Sequence, residues 1–181
     1  MTVELLNVVM QRRSVRKYKS DPVGRDLVNS CIEAARLAPS ACNSQPWKFV
    51  VLDEPARLAE FAGGVFEGLY SMTAFAGKAP VLVAIVSEKS NVTAWIGNQV
   101  QQTTFRLVDI GIACENFVLQ AQSLGLGTCI LGWFNAKKAA EMLGCPAGKK
   151  VELLISLGYP DEAPAPRPRK AIEAMSSYGK Y

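Results

Sequence analysis

The chain has 181 residues, 49% of them hydrophobic, with 20 basic and 16 acidic side chains and no histidine. A chain of this length and hydrophobicity can bury a sizeable core, so we expect one domain spanning residues 1–181. Without histidine, Ser-His-Asp and Cys-His catalytic units and His-ligated zinc or iron are excluded. An enzyme with this composition would depend on a bound organic cofactor.

The cysteines and the hydropathy pattern suggest where the protein works. Five cysteines, odd in number and widely spaced, argue against a disulfide framework and against a four-cysteine metal site. The first residues carry no signal-peptide pattern, and no apolar run is long enough to span a bilayer. We therefore expect a cytoplasmic protein with no metal and no membrane partner.

The basic residues are concentrated in two clusters. One contains Arg12, Arg13, Arg16, Lys17 and Lys19, and the other contains Arg167, Arg169 and Lys170. Taking these eight from the 20 basic residues leaves 12 against 16 acidic ones, so the remainder is mildly acidic. A nucleic-acid-binding protein would present a broader basic face, and we predict no such partner. Two compact clusters suit one small anion.

In chain order, apolar spacing first predicts a helix over residues 3–11, followed by Arg12–Tyr18, which we call the basic segment. Arginine presents a planar fork of donors that matches a phosphate, and the hydroxyl of Ser14 can donate as well. The alternative is a solvated helix end, because cations favour a helix C-terminus.

The next elements are a break at Asp21-Pro22, a helix to Ala38, and the loop Ala38–Trp47, which we call the amide loop. This loop lies between two prolines and is rich in small and amide side chains. It is either an ordinary connection into a strand over residues 48–52 or a clasp for a polar ligand.

The middle of the chain alternates helix and strand patterns. Residues 54–61 predict a helix, Gly63-Gly64 a break, and residues 65–75 a second short helix whose aromatic residues suit the core or a pocket wall. The continuous apolar run at 81–86 predicts a strand buried on both faces. Residues 87–102 are polar and give no clear pattern.

A long helix is predicted over residues 103–124, and its apolar residues cover nearly the whole circumference. Such a helix must be buried on all sides, so we expect part of it to contact a second subunit. Strands at 128–131 and 151–157 flank a small helix at 136–143. Four prolines then favour an extended C-terminal arm over residues 160–181, which could reach about 60 Å across a neighbouring subunit.

Four stretches together resemble the FMN-dependent nitroreductase family: the basic segment, the amide loop, Gly125-Leu126-Gly127-Thr128-Cys129, and Leu157-Gly158-Tyr159-Pro160. Their order and spacing agree over essentially the whole chain. The resemblance implies an α+β fold with a central, mostly antiparallel sheet flanked by helices. It also implies an intertwined homodimer with FMN at the subunit interface and the C-terminal arm wrapping the partner.

The same resemblance assigns roles to individual positions. The phosphate and ribityl chain of FMN would be held by Arg12, Arg13 and Ser14, with Arg16 at the pyrimidine edge of the flavin and with Arg167 and Arg169 returning to the phosphate. Backbone groups near flavin N5 and O4 would be offered by Leu131 and Gly132. The other subunit would contribute Pro39, Ser40, Asn43 and Gln45. The sequence departs from the family pattern at residues 66–75 and 87–102, so the resemblance does not identify the electron acceptor.

The implied activity is a ping-pong reaction. NAD(P)H reduces FMN and leaves, and a nitroaromatic or quinone then takes the place of the NAD(P)H and is reduced by the flavin. Arg16 cannot lose its proton, so it would stabilise the charge of the reduced flavin, and no acid or base of the protein need act in the hydride step. The alternatives are enone reduction, reductive dehalogenation or flavin breakdown on the same scaffold, or a non-catalytic FMN-binding dimer.

Overall fold

The computed structural model describes residues 5–88 and 103–181. Its α-helices are α1 Leu5–Gln11, α2 Arg25–Arg36, α3 Pro55–Val65, α4 Phe105–Ser123 and α5 Ala136–Met142. Its strands are β1 Trp47–Leu52, β2 Val81–Ser87, β3 Gly127–Leu131 and β4 Lys150–Gly158. Short 3-10 helices occupy Ala41–Asn43, Gly68–Lys78 and Ile172–Ala174. Most of the polar stretch 87–102, which departs from the family pattern, lies outside the described residues.

The four strands form one antiparallel sheet in the order β1-β2-β4-β3, as expected for the predicted α+β fold. Successive side chains of a strand point to opposite faces, and helices cover both faces of this sheet. Val81, Val83 and Ile85 pack with α2 and α4, whereas Leu82, Ala84 and Val86 pack with α3 and α5. The prediction that β2 is buried on both faces is confirmed.

The long helix α4 buries one side and exposes the other. Phe117 is fully buried and its ring stacks on that of Phe49, with centroids 6.3 Å apart. On the opposite side Leu107, Val108 and Ile112 are exposed in the single chain. Helix α1, which packs against α4, exposes four further apolar side chains: Leu5, Leu6, Val9 and Met10.

Two predicted details were wrong. Gly63-Gly64 does not end a helix, because α3 continues through both residues to Val65. A Cβ on Gly64 would lie 2.6 Å from the Sδ atom of Met142, so this glycine allows α3 to pack closely on α5. The second short helix is a 3-10 helix over Gly68–Lys78 and not an α-helix. Gly68 at its start has a φ of 58°, a left-handed conformation that glycine adopts without strain.

The burial of Phe117 gives a test of the core. Phe117→Ala is expected to lower the free energy of unfolding by about 3–5 kcal/mol, because the packed interior cannot fill the cavity. Urea unfolding followed by circular dichroism at one protein concentration measures this. Leu69→Ala is the control, since Leu69 is 83% exposed. A loss at Phe117 no larger than that at Leu69 would contradict the described packing.

Candidate functional site

From Ser14 onward the basic segment is an extended stretch along the edge of the sheet. Its first two arginines lie at the end of α1, as the helix-end interpretation predicts: the N–H of Arg12 donates to the carbonyl of Val8 at 2.9 Å, and the guanidinium of Arg13 donates to the carbonyl of Met10 at 2.6 Å. α1 ends at Gln11, and Ser14 forms a parallel bridge with Thr128 of β3. The N–H of Val15 donates to the carbonyl of Thr128 at 2.9 Å. Val15 is buried while Arg16 is exposed, as alternation in an extended chain requires.

Two glycines provide the space in which the basic segment lies. They pair with each other in the β3–β4 ladder, as Gly127 opposite Gly158. A Cβ on Gly127 would lie 2.8 Å from a methyl carbon of Val15, and one on Gly158 would lie 3.0 Å from the ring of Tyr18. The glycines recognised as motifs in the sequence therefore let the segment approach the sheet closely.

Tyr18 attaches the basic segment to β4 of the sheet through its hydroxyl. Its hydroxyl donates to the carbonyl of Val15 at 2.5 Å and lies 2.7 Å from the hydroxyl of Ser156 on β4. Burial raises the pKa of Tyr18 far above its ordinary value, although the hydrogen bond with Ser156 opposes this. Sequence reasoning gave Tyr18 no role. Only its position beside the arginines of the basic segment could have suggested that it belongs to the site.

The basic segment and the C-terminal arm enclose one cavity of about 460 Å³, which we call the basic cavity. It is lined by Val9, Met10, Arg12, Arg13, Ser14, Arg16, Pro164, Ala165, Pro166, Arg167 and Arg169. The arginines of the two clusters thus line a single cavity, although they come from opposite ends of the chain. Five guanidinium groups and a hydroxyl are a donor set that fits a phosphate.

Two carboxylates lie next to these cations. The guanidinium of Arg12 is 3.7 Å from the carboxylate of Glu115 on α4. Oε1 of Glu162 accepts the backbone N–H groups of Arg16 and Lys17, at 2.6 and 3.3 Å. Sequence reasoning missed both contacts, because residues so distant in the chain leave no spacing pattern.

Cys129 lies beneath the basic segment. Burial raises the pKa of its thiol, outweighing the opposite effects of Arg16, the hydrogen bond from Ser14, and Arg12. Only the thiolate is an effective nucleophile, so burial disfavours reaction of this cysteine. All five cysteines of the chain are free thiols.

The amide loop does not line the basic cavity of its own chain. Cys42, Asn43 and Gln45 have φ angles of 52°, 52° and 46°, a left-handed conformation that non-glycine residues rarely adopt. The hydroxyl of Ser40 accepts the N–H of Gln45 at 3.0 Å, and the buried carboxylate of Asp109 accepts that of Ala41 at 3.1 Å. Strain held in place by such bonds is typical of a functional loop.

The side chains of this loop remain available. Pro39, Asn43 and Gln45 are exposed, and Ser40 is half-buried. The amide of Gln45 donates to Oδ1 of Asn43 at 3.1 Å. Their assignment to a cofactor bound by the partner remains a prediction.

The ring of Phe75 connects Arg16 with the end of β3. The guanidinium carbon of Arg16 is 5.8 Å from the centroid of Phe75, which packs against the core cluster containing Leu131. Leu131 is buried and Gly132 is exposed, and neither lines the basic cavity. A ligand larger than a phosphate could extend from the basic cavity along Phe75 toward this strand end.

An aromatic pair follows directly in the chain. Trp133 is 55% exposed, and its indole N–H donates to the carbonyl of Leu69 at 2.9 Å. Its ring centroid lies 5.6 Å from that of Tyr70. Thr73 braces the pair by donating to the carbonyl of Trp133 at 2.7 Å. Sequence reasoning considered Tyr70 but not Trp133, which stands next to the predicted contact Gly132.

Within residues 5–88 and 103–181, no helix has the length and apolar character needed to cross a bilayer. Over the same ranges, no three acidic or cysteine side chains are grouped so that they could hold a metal ion.

Comparison with known proteins gives consistent matches. A model described as the nitroreductase family matches residues 9–159. The Thermus thermophilus protein named NADH dehydrogenase is 27% identical over 192 residues, covering 92% of this chain and 91% of that protein. The NADPH-flavin oxidoreductase of Vibrio harveyi is 30% identical over 184 residues, covering 97% of this chain and 74% of the relative. The solved structure of the Vibrio harveyi NADPH:FMN oxidoreductase complexed with NAD+ has a TM-score of 0.79 at 26% identity, covering 98% of this chain and 77% of that one.

The buried hydroxyl of Tyr18 predicts a pH dependence. In the unfolded chain this tyrosine ionises near pH 10, whereas burial in the folded protein keeps its pKa higher. Its contribution to stability is therefore complete below about pH 10 and is lost as the pH rises above that value. Denaturation between about pH 9 and 11 should show a steeper fall in the free energy of unfolding for wild type than for Tyr18→Phe.

Tyr178→Phe is the control for this slope, because Tyr178 is 98% exposed. It should keep the wild-type dependence on pH. Identical slopes in all three proteins would show that the Tyr18 hydroxyl is not buried.

Proposed function

The chain belongs to the nitroreductase family of oxidoreductases, and we propose that it is an FMN-dependent enzyme that uses NAD(P)H to reduce nitroaromatics, quinones or similar acceptors in a ping-pong reaction. The observation that carries the proposal is the basic cavity, where arginines from both ends of the chain surround a space with room for a phosphate. The names of the Vibrio harveyi relative and of the Vibrio harveyi structure support the same cofactor and electron donor.

We assign the FMN contacts as follows. Arg12, Arg13 and Ser14 hold the phosphate and ribityl chain, and Arg167 and Arg169 close on the phosphate from the C-terminal arm. Each of these side chains lines the basic cavity, which supports the assignment. Guanidinium groups can bind phosphate oxygens in pairs, which fixes its orientation as well as its position.

Arg16 is assigned to the pyrimidine edge of the flavin. When bound, FMN supplies the two-electron chemistry by accepting a hydride from the nicotinamide and delivering it to the acceptor. The permanent charge of Arg16 stabilises negative charge at that edge, by about 4 kcal/mol for charges ~4 Å apart at an effective dielectric near 20, and by less where water reaches them. Its contact with the Phe75 ring restrains the guanidinium. The hydride step itself needs no acid or base from the histidine-free chain, and the proton that the reduced acceptor takes up would come from water.

The acceptor is assigned to the aromatic surface beside Gly132. Trp133 exposes about half of its surface, while its indole N–H is satisfied by the carbonyl of Leu69. The neighbouring Leu69 and Met72 are 83% and 84% exposed. Such a surface favours a flat apolar acceptor that stacks on the indole, as quinones and nitroaromatics can.

We further propose that the active unit is a homodimer with two shared FMN sites. The exposed apolar stripe on α4 and the exposed apolar residues of α1 support this, since a monomer seldom leaves so large a patch open. Pro39, Ser40, Asn43 and Gln45 of the amide loop would then contact the partner's flavin, with Leu131 and Gly132 at the ring. The C-terminal arm, which exposes Ile172, Met175, Tyr178 and Tyr181, would wrap the partner.

The first test of the proposed function is binding of FMN. The apoprotein should become yellow with FMN, and Arg169→Ala should weaken binding about tenfold or more, because hydrogen bonds to charged groups contribute ~1.5–3 kcal/mol. Lys170→Ala is the matched control, since this exposed neighbour has the same charge but does not line the basic cavity. Anaerobic addition of NADPH should then bleach the flavin. Protein that takes up no FMN, or holds FMN that NADPH cannot bleach, would refute the proposal.

The second test addresses the shared site. Arg12→Ala and Asn43→Ala are each expected to empty most sites, because each homodimer then carries two damaged sites. When the two variants are unfolded and refolded together, about half of the dimers are mixed, and two-fold symmetry gives each mixed dimer one intact site. Roughly one quarter of all sites should therefore regain wild-type affinity.

Flavin occupancy after gel filtration measures this recovery, and separately refolded variants are the control. If Arg12 and Asn43 act on one FMN from the same subunit, mixing cannot rebuild a site. Occupancy equal to that of the separate variants would therefore contradict the shared site.

A further inference from the structure

Glu162 occupies an unexpected position for a carboxylate. It lies near the start of the C-terminal arm, five residues before Arg167 in the chain. Its Oε1 atom accepts the backbone N–H of Arg16 at 2.6 Å and that of Lys17 at 3.3 Å. One half-buried carboxylate thus binds the backbone of the segment whose side chains line the basic cavity.

The contact continues a backbone pairing. The N–H of Lys19 donates to the carbonyl of Tyr159, and the N–H of Asp161 donates to the carbonyl of Lys17, both at 2.9 Å. The next residue, Glu162, extends this pairing through its side chain, whose carboxylate accepts the N–H groups of Arg16 and Lys17. Beyond it, Pro164 to Arg169 form the second wall of the basic cavity.

We propose that Glu162 is a positioning residue that fixes the two walls of the basic cavity relative to each other, and thereby sets the affinity for FMN and the placement of Arg16. The inference rests on the proposed function, because FMN is the ligand whose binding would report it. It goes beyond the FMN contacts assigned above, since Glu162 itself does not line the basic cavity.

Charge and geometry make opposite predictions at this position. As a negative charge beside a phosphate site, Glu162 should repel FMN, and its removal should tighten binding. As the acceptor that fixes two backbone groups, it should favour binding, and its displacement should loosen the cavity. The sign of the measured effect therefore distinguishes the two roles.

Two substitutions separate charge from geometry. Glu162→Gln removes the charge but keeps an acceptor oxygen at the same reach, whereas Glu162→Asp keeps the charge but retracts the carboxylate by one methylene. Fluorescence titration of each apoprotein with FMN should show about tenfold weaker binding for Glu162→Asp, equivalent to roughly 1.4 kcal/mol, and near wild-type binding for Glu162→Gln. Asp161→Asn makes the same charge change next to Glu162 and should leave affinity near that of wild type.

The reduction potential of bound FMN provides a readout that a general loss of stability would not move. Displacing Arg16 should lower the potential in Glu162→Asp, because less positive charge faces the reduced flavin. Hydrogen exchange of the apoprotein should show faster exchange of the Arg16 and Lys17 amides in the same variant. This measurement does not depend on FMN.

Each outcome has a defined meaning. Weaker binding, a lower potential and faster amide exchange in Glu162→Asp, together with near wild-type behaviour in Glu162→Gln, support the proposal. Tighter binding in Glu162→Gln with unchanged binding in Glu162→Asp means that only charge matters and overturns it. Unchanged amide exchange in Glu162→Asp also overturns it. If the wild type takes up no FMN, the proposed function itself fails, and this inference fails with it.

Discussion

The hydrogen bonds between the basic segment and the end of the sheet determine where the cations of the site lie. Val15 pairs with Thr128, and Lys17 and Lys19 pair with the residues around Pro160. These bonds use backbone atoms, and the side chains of Ser14 and Arg16 line the basic cavity. Gly127 and Gly158 allow the approach, and the buried hydroxyl of Tyr18 holds the segment from below. A flexible basic tail could have supplied the same charge, but not the same arrangement.

The site combines permanent charges with ionisable groups that burial keeps neutral. The arginines stay protonated throughout the physiological pH range. Burial raises the pKa values of both Cys129 and Tyr18, so neither gains a negative charge next to the cations near neutral pH. The chain contains no histidine whose charge could change in that range. Neither the arginines nor these two buried groups should therefore change their charge near neutral pH.

The features visible in the sequence were those that local patterns encode. The apolar run of β2 predicted a buried strand, and the two arginine clusters predicted one anion site. The 3-10 form of residues 68–78 and the continuation of α3 through Gly64 depend on packing and backbone geometry that no local pattern records. The contact between Glu162 and Arg16 joins residues 146 positions apart, and the aromatic pair of Tyr70 and Trp133 is also long-range. The flavin roles of individual residues rest on family resemblance, and the single chain leaves the amide loop away from its own basic cavity.

The basic cavity takes its cations from both ends of the chain, and this has a consequence for biosynthesis. A ribosome makes Arg167 and Arg169 only after every strand of the sheet has been synthesised. A ligand bound between the two clusters can therefore stabilise the finished chain but cannot help the nascent chain to fold. Until those arginines are made, the growing chain depends for its stability on the sheet and the hydrophobic core.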